Sequence, residues 1–407
     1  MKKWLSVLLG LLFTITSFIS CDMGYFASQG GDMKRLDMSK LSENVDKIAE
    51  YDISNNKIFG SAYYVYQEGG VELKKCYGTT SLDSNAPITD TSIFRLASMT
   101  KPITAIAALI LVDRGLLSLN DSVDKYIPEF KNIEITSSNS SNKPKKLPSI
   151  KSLLNHTSGI GCDANKLATM TANDKKTLDS SIAFYIKNGL DFEPESQQQY
   201  SPTGAFDVLA KIIEIVSGKD YLSFLKTEIF EPCGMQDTTF VPTAEQEGRM
   251  VAMHTRKDGE NAVSAMLAGC VFENFPSTHY LGGAGLVSTL SDYGKFAKML
   301  LNKGKTERGR ILREETFDLL CTPQVSKKIM PGDVRWGLGV RVITGDGYPY
   351  SLPVGSFGWS GAYGTHFWID PVNKIFAVFM KNSRVDGGAG NQSAVEFEKA
   401  VYASLAE

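Results

Sequence analysis

The segment Ile93-Phe94-Arg95-Leu96-Ala97-Ser98-Met99-Thr100-Lys101-Pro102 runs into Ile103–Val112, a stretch that is apolar except for Thr104. A helix apolar nearly all round has no solvent face and has to be the buried centre of a large core. The strand-like Phe94-Arg95-Leu96 ahead of it places Ser98 at the helix start and Lys101 one turn on, on the same face. A serine hydroxyl is a weak nucleophile near neutral pH, and an amine held beside it and partly desolvated can take its proton. The helix N-terminus adds amide donors and a positive dipole end where an oxyanion would develop. The spacing alone is cheap, since Ser140-x-x-Lys143 and Ser223-x-x-Lys226 repeat it. Ser140 sits in a polar Ser/Asn/Lys stretch and Ser223 opens ordinary amphipathic sequence. Only Ser98 leads into a buried helix.

A chain of 407 residues has room for two or three average domains, and 43% hydrophobic with 22% charged residues is ordinary for a globular protein. The net charge of -2 becomes two units more negative without Lys2 and Lys3, which leaves no electrostatic footprint for nucleic acid. No zinc-type Cys/His spacing and no phosphate-cradling glycine loop occurs, so neither a metal nor a cofactor is expected. Cys76, Cys162, Cys233, Cys270 and Cys321 form no paired pattern and read as small buried apolar residues, with one bridge left open.

Residues 1–20 carry Lys2 and Lys3 before an apolar stretch from Trp4 to Ile19 and read as an export signal. The ending Phe18-Ile19-Ser20-Cys21 resembles a bacterial lipobox, with phenylalanine where leucine is usual. Cys21 is then the lipid-modified first mature residue, residues 21–38 are a tether, and residues 39–407 are the folded domain. This predicts an exported lipoprotein of the bacterial cell envelope, held to the membrane and facing the periplasm or the cell surface.

Within the domain, Leu41–Ile53 reads as a helix and Phe59–Tyr66 with Val71–Tyr77 as a hairpin. Thr136–Ser149 is a polar loop, and most of Ile150–Leu300 has helical signal, clearest at Ala205–Val216. Trp336–Val342, Gly364–Ile369 and Ile375–Met380 read as strands, and Ala394–Leu405 as a closing helix. Strands at both ends with helices between predict an α+β fold: an antiparallel sheet built from both chain ends, flanked by helices, with a mostly helical subdomain inserted at roughly residues 120–285.

Other segments stand in order behind the Ser98 segment: Leu153-Leu154-Asn155-His156-Thr157-Ser158-Gly159, Tyr200-Ser201-Pro202, Gly282-Gly283-Ala284-Gly285-Leu286-Val287-Ser288-Thr289, and Phe357-Gly358-Trp359-Ser360-Gly361. Together they resemble the serine β-lactamase-like hydrolases, in the branch of class C β-lactamases, D-alanyl-D-alanine carboxypeptidases and class VIII carboxylesterases. The resemblance runs from about residue 40 to the C-terminus and implies the β-lactamase/transpeptidase fold. It implies Ser98 as nucleophile, with Lys101 and Tyr200 sharing proton transfer. It likewise implies an oxyanion hole made by the amides of Ser98 and Ala362, with Trp359, Ser360 and Gly361 lining the substrate. Ser201 is expected to cap the Ala205–Val216 helix with Pro202 in its first turn.

Two positions depart from the β-lactamase pattern. Class C enzymes and carboxypeptidases read Tyr-x-Asn where this chain has Tyr200-Ser201-Pro202. β-Lactamases carry Lys-Thr-Gly where it has Trp359-Ser360-Gly361, similar to the Trp-x-Gly of class VIII esterases. Tryptophan supplies no charge for a substrate carboxylate, only apolar surface and one N–H. His156, His254, His279 and His366 are expected to be structural, and the Gly282–Gly285 cluster a packing turn. The expected function is a cell-envelope serine hydrolase with an acyl-enzyme on Ser98, esterase-like, acting on a small ester, β-lactam or peptidoglycan-like substrate. The rival readings are a class C-type β-lactamase or D-alanyl-D-alanine carboxypeptidase, and a non-catalytic cell-wall-binding lipoprotein.

Overall fold

Strand β1 (Gly60–Gln67) is buried on both faces, although it lies near one edge of its sheet. The computed structural model that shows this describes residues 33–407 except 138–139, 265–269, 349–350, 386–387 and 407. The expected signal segment and Cys21 lie outside the described residues. Among those described, no helix is long and apolar enough to cross a membrane.

β1 turns into β2 (Val71–Gly78) with Val65 opposite Leu73, close to the predicted hairpin. Its other edge pairs with a strand from the far end of the chain. The other strands of the main sheet and of the ladder leading to Ser98 are β3 (Ile93–Arg95), β4 (Val287–Thr289), β5 (Val334–Trp336), β6 (Arg341–Ile343), β7 (Phe357–Ser360), β8 (His366–Asp370) and β9 (Ile375–Met380). The main sheet is antiparallel in the order β5-β6-β7-β8-β9-β1-β2, while β3 and β4 form a separate ladder. Alternation along the strands fills two cores. Tyr63, Val65, Ala377 and Phe379 face helices α1 (Met38–Ser54) and α6 (Gln392–Ala403), meeting Leu41, Val45 and Phe397. Ala62, Tyr64, Phe376, Val378 and Met380 face the larger helical core.

That larger core centres on α2 (Thr100–Asp113), in which every residue from Thr100 to Leu111 is buried. Around it stand α3 (Leu178–Asn188), α4 (Gly204–Ser217) and α5 (Leu290–Leu301). The α+β architecture, with one antiparallel sheet from both chain ends and helices between, is the one the sequence implied.

Three local expectations are corrected. Trp336–Val342 is not one strand. Gly337 and Gly339 turn the chain between β5 and β6, because Gly339 sits at φ +75 and a Cβ on Gly337 would lie 2.1 Å from the Leu320 carbonyl oxygen. The polar 136–149 stretch includes a short ladder of Ile135–Ser137 with Ser140–Asn142. Likewise, the helical region carries two small hairpins, His254–Lys257 with Glu260–Val263 and Cys270–Phe272 with Phe275–Pro276.

Candidate active site

Ser98 stands in a single 3-10 turn, Ala97–Met99, that leads directly into α2. Its amide is at the open start of a helical run, where N–H groups have no carbonyl partner within the helix. Ala97 holds φ +46, a left-handed conformation that costs a non-glycine residue about 1–3 kcal/mol and persists only under external restraint. Met253 and Tyr363 pack against Ala97 and supply that restraint. Asn382 holds the preceding strand, accepting from the Arg95 N–H at 3.0 Å and donating to the Arg95 carbonyl at 3.1 Å.

Lys101 is fully buried one turn on, and its ammonium has three acceptors. Nζ donates to the Pro202 carbonyl at 2.6 Å, to the Gly283 carbonyl at 2.8 Å and to Ser98 Oγ at 3.3 Å. The whole donor set of an ammonium is therefore engaged, and one of its hydrogens is aimed at the serine. Glycine is required at 283, since a Cβ there would sit 2.8 Å from the Pro202 oxygen and 3.2 Å from Nζ. The turn is anchored behind by Asp207 of α4, which accepts from the Gly282 N–H at 3.0 Å and from the Tyr185 hydroxyl at 3.2 Å. Burial pushes the Asp207 carboxyl up to about 7, with the Tyr185 hydrogen bond and then the Lys101 charge working against the rise.

Tyr200 donates its hydroxyl to Ser98 Oγ at 2.7 Å, and its ring lies 4.9 Å from Lys101 Nζ. The phenol is set in aromatic surroundings. His156 lies 4.6 Å from it, Trp336 stacks at 6.0 Å and Trp359 tilts at 5.4 Å, while Trp336 and Trp359 meet edge-on at 4.5 Å. The Trp359 indole N–H points to the Tyr200 oxygen at 3.4 Å. His156 is buried and accepts from the Ser201 N–H at Nδ1. Desolvation, then the Lys101 charge, hold its pKa well below the ordinary value, so the ring is neutral.

The sheet meets the Ser98 loop through the β7–β8 turn. A Cβ on Gly361 would lie 2.2 Å from the Leu96 carbonyl oxygen, and Thr365 donates its hydroxyl to that same oxygen at 3.0 Å. Ala362, the next residue of the turn, is exposed. Ser360 does not join this face. Alternation turns it to the opposite side from Trp359, where its Oγ bonds His366 Nδ1 at 2.7 Å.

Ser98, Lys101, Tyr200 and Trp359 are thus brought together, with Gly361 against the loop that carries Ser98. The Pro202 and Gly283 carbonyls, Trp336 and Asp207 are parts of the site that sequence reasoning passed over. Pro202 lies ahead of α4, which starts at Gly204, and is not in its first turn; Ser201 Oγ still accepts from the Ala205 N–H at 3.0 Å. Cys76, Cys162, Cys233 and Cys321 are free thiols, each with its pKa raised first by burial.

A serine–lysine–tyrosine constellation at the mouth of an apolar helix, with the lysine fully buried and a sheet strand closing one side, defines a class of serine hydrolase. The β-lactamase family profile matches residues 41–397, and the chain belongs to that family. Esterase EstB of Burkholderia gladioli is 26% identical over 397 residues, covering 90% of this chain and 97% of the esterase. Protein Rv1367c of Mycobacterium tuberculosis is 28% identical over 326 residues, covering 74% and 80%. Among solved structures, EstCE1, described as a hydrolase with promiscuous acyltransferase activity, superposes with a TM-score of 0.77 at 23% identity, covering 89% of this chain and 99% of that one. At that identity the likeness speaks for the fold.

Proposed function

We propose that the protein is an ester-preferring hydrolase that works through an acyl-enzyme on Ser98. The observation that carries this reading is Trp359. On the strand beside the nucleophile, where recognition of a substrate carboxylate would call for a cation, the chain sets an indole whose N–H is turned to Tyr200. The similarity to an esterase along nearly its whole length supports the same reading.

In this mechanism Ser98 Oγ attacks the ester carbonyl as its proton passes to Tyr200 in its phenolate form, which the neighbouring Lys101 ammonium stabilises. The carbonyl π electrons move to oxygen, and the amides of Ser98 and Ala362 receive the oxyanion. Collapse breaks the bond to the alcohol, which leaves with the proton, and water repeats the sequence to release the acid. Lys101 keeps the proton path electropositive, and Tyr200 is the group within 2.7 Å of the nucleophile that can accept and return a proton.

The test is kcat/KM for an aryl acetate against a chromogenic cephalosporin on one preparation. The ester should be favoured, and a clear preference for the cephalosporin would replace this reading with the β-lactamase one. Trp359→Lys should move the ratio towards the anionic substrate by about tenfold, the value of one charge-assisted hydrogen bond. We also propose export by residues 1–20 and lipid attachment at Cys21, supported by the sequence pattern there. Cys21→Ala should end incorporation of labelled fatty acid, and unchanged labelling would remove the anchor.

A further inference from the structure

Behind the β7–β8 turn, on the face of the sheet away from the substrate, three buried polar side chains form a chain. Ser360 Oγ bonds His366 Nδ1 at 2.7 Å, and His366 Nε2 bonds Glu398 Oε1 of α6 at 2.9 Å. Their exposures are 4%, 2% and 2%, so no substrate carbonyl reaches Ser360, and the trio is not a second nucleophilic site despite its residue types. Groups from other elements converge on its acid end. Arg341 of β6 lies 3.6 Å from Glu398 Oε1, and the Tyr348 hydroxyl donates to Oε2 at 3.4 Å. A carboxylate at Glu398 fixes Nε2 as the ring's donor, which leaves Nδ1 to accept the Ser360 proton.

The placement matters because Ser360 and His366 are opposite one another in the ladder and close the turn that carries Gly361 and Ala362. On the other face Gly361 and Thr365 clamp the same turn to Leu96, two residues before Ser98. A buried polar network that is fully satisfied is rigid and admits one geometry. We infer that Ser360, His366 and Glu398 are positioning residues that hold the Ala362 amide at the distance the developing oxyanion requires. This rests on the proposed role of that amide. An oxyanion hole is worth most when its donors need no reorganisation, so loosening it should cost the transition state and spare the ground state.

The test uses the full chain, with Ser360→Ala, Ser360→Thr and Glu398→Gln compared with wild type. A fluorophosphonate titrates reactive Ser98, so that kcat is expressed per active site. Ser360→Ala and Glu398→Gln should lower kcat by about tenfold with KM within about twofold, the signature of an interaction made in the transition state. Ser360→Thr, which keeps the hydroxyl, should retain the wild-type kcat. A purely structural role would lower the melting temperature and the titrated fraction while kcat per labelled site stayed constant, and that outcome overturns the inference. Should Ser360→Ala not fold, Glu398→Gln decides alone. A wild type that the probe does not label removes both this inference and the proposed function. A labelled wild type whose variants keep their kcat removes this inference alone.

Discussion

Lys101 and Tyr200 flank the same oxygen but are held by opposite means. Lys101 is fixed by backbone: two carbonyls, from Pro202 and Gly283, take two of its hydrogens and leave the third for Ser98. Tyr200 is fixed by side chains, with His156, Trp336 and Trp359 packed around its ring. A backbone cage gives one position and one charge pattern whatever side chains surround it. An aromatic nest fills space without charge and is tolerant of exchange. The lysine should therefore be sensitive to the shape of the main chain, and the tyrosine to the loss of its own hydroxyl more than to the loss of a neighbour.

The largest effects break the constellation outright. Ser98→Ala and Lys101→Ala should each lower kcat by more than about 10³, and the double variant should be scarcely worse than either, as expected of groups acting as a unit. Steady-state ester hydrolysis checks this, and additive losses would mean that the two act independently. Tyr200→Phe keeps the ring in its nest and removes only the hydroxyl proposed to carry the proton; it should cost about 10²–10⁴ in kcat. A near-silent variant would assign the proton to another group.

Gly283→Ala separates the two modes of support. Its Cβ would force the Pro202 carbonyl and Lys101 apart, and a displacement of about 1 Å in such a group costs about 10² in rate. Trp336→Phe, which trims the nest but leaves an aromatic ring, should cost less than about tenfold. If the order of these two is reversed, the contrast between cage and nest is wrong.

The smallest effect is on stability. The folded state keeps His156 neutral well below 6.5, whereas the unfolded chain takes up a proton as pH falls through 6.5. The unfolded state then binds more protons, so this residue's contribution is intact above that value and lost below it. The stability advantage of wild type over His156→Gln should shrink on going from pH 7.5 to 5.5, by up to about 1.4 kcal/mol per pH unit below 6.5. Urea unfolding at the two values measures it, and a constant difference would show that the ring titrates in the fold as it does in the unfolded chain.

The helix behind Ser98 was legible because an apolar run has one physical destination, and the two-ended sheet because its strands are dense in β-branched and aromatic residues. The cage around Lys101 was not, since carbonyl groups are the same in every residue and their direction is set by tertiary packing. Gly283 carried a signal only in retrospect, as one glycine of a cluster. The side of the sheet that Ser360 faces was readable from strand alternation, which puts it opposite Trp359, but reading Trp359-Ser360-Gly361 as one unit hid it. Similarly, Gly337 and Gly339 marked the break between β5 and β6 that the aromatic and β-branched content of that stretch concealed.

The pairing of Ala62 in β1 with Met380 in β9 has a consequence in time. A nascent chain that has reached residue 350 already contains Ser98, Lys101 and Tyr200, yet its first hairpin has no neighbouring strand and the turn bearing Ala362 does not exist. Contacts this distant in sequence form late and slowly. A chain that stops short of β9 should therefore be inactive although it already carries Ser98, Lys101 and Tyr200.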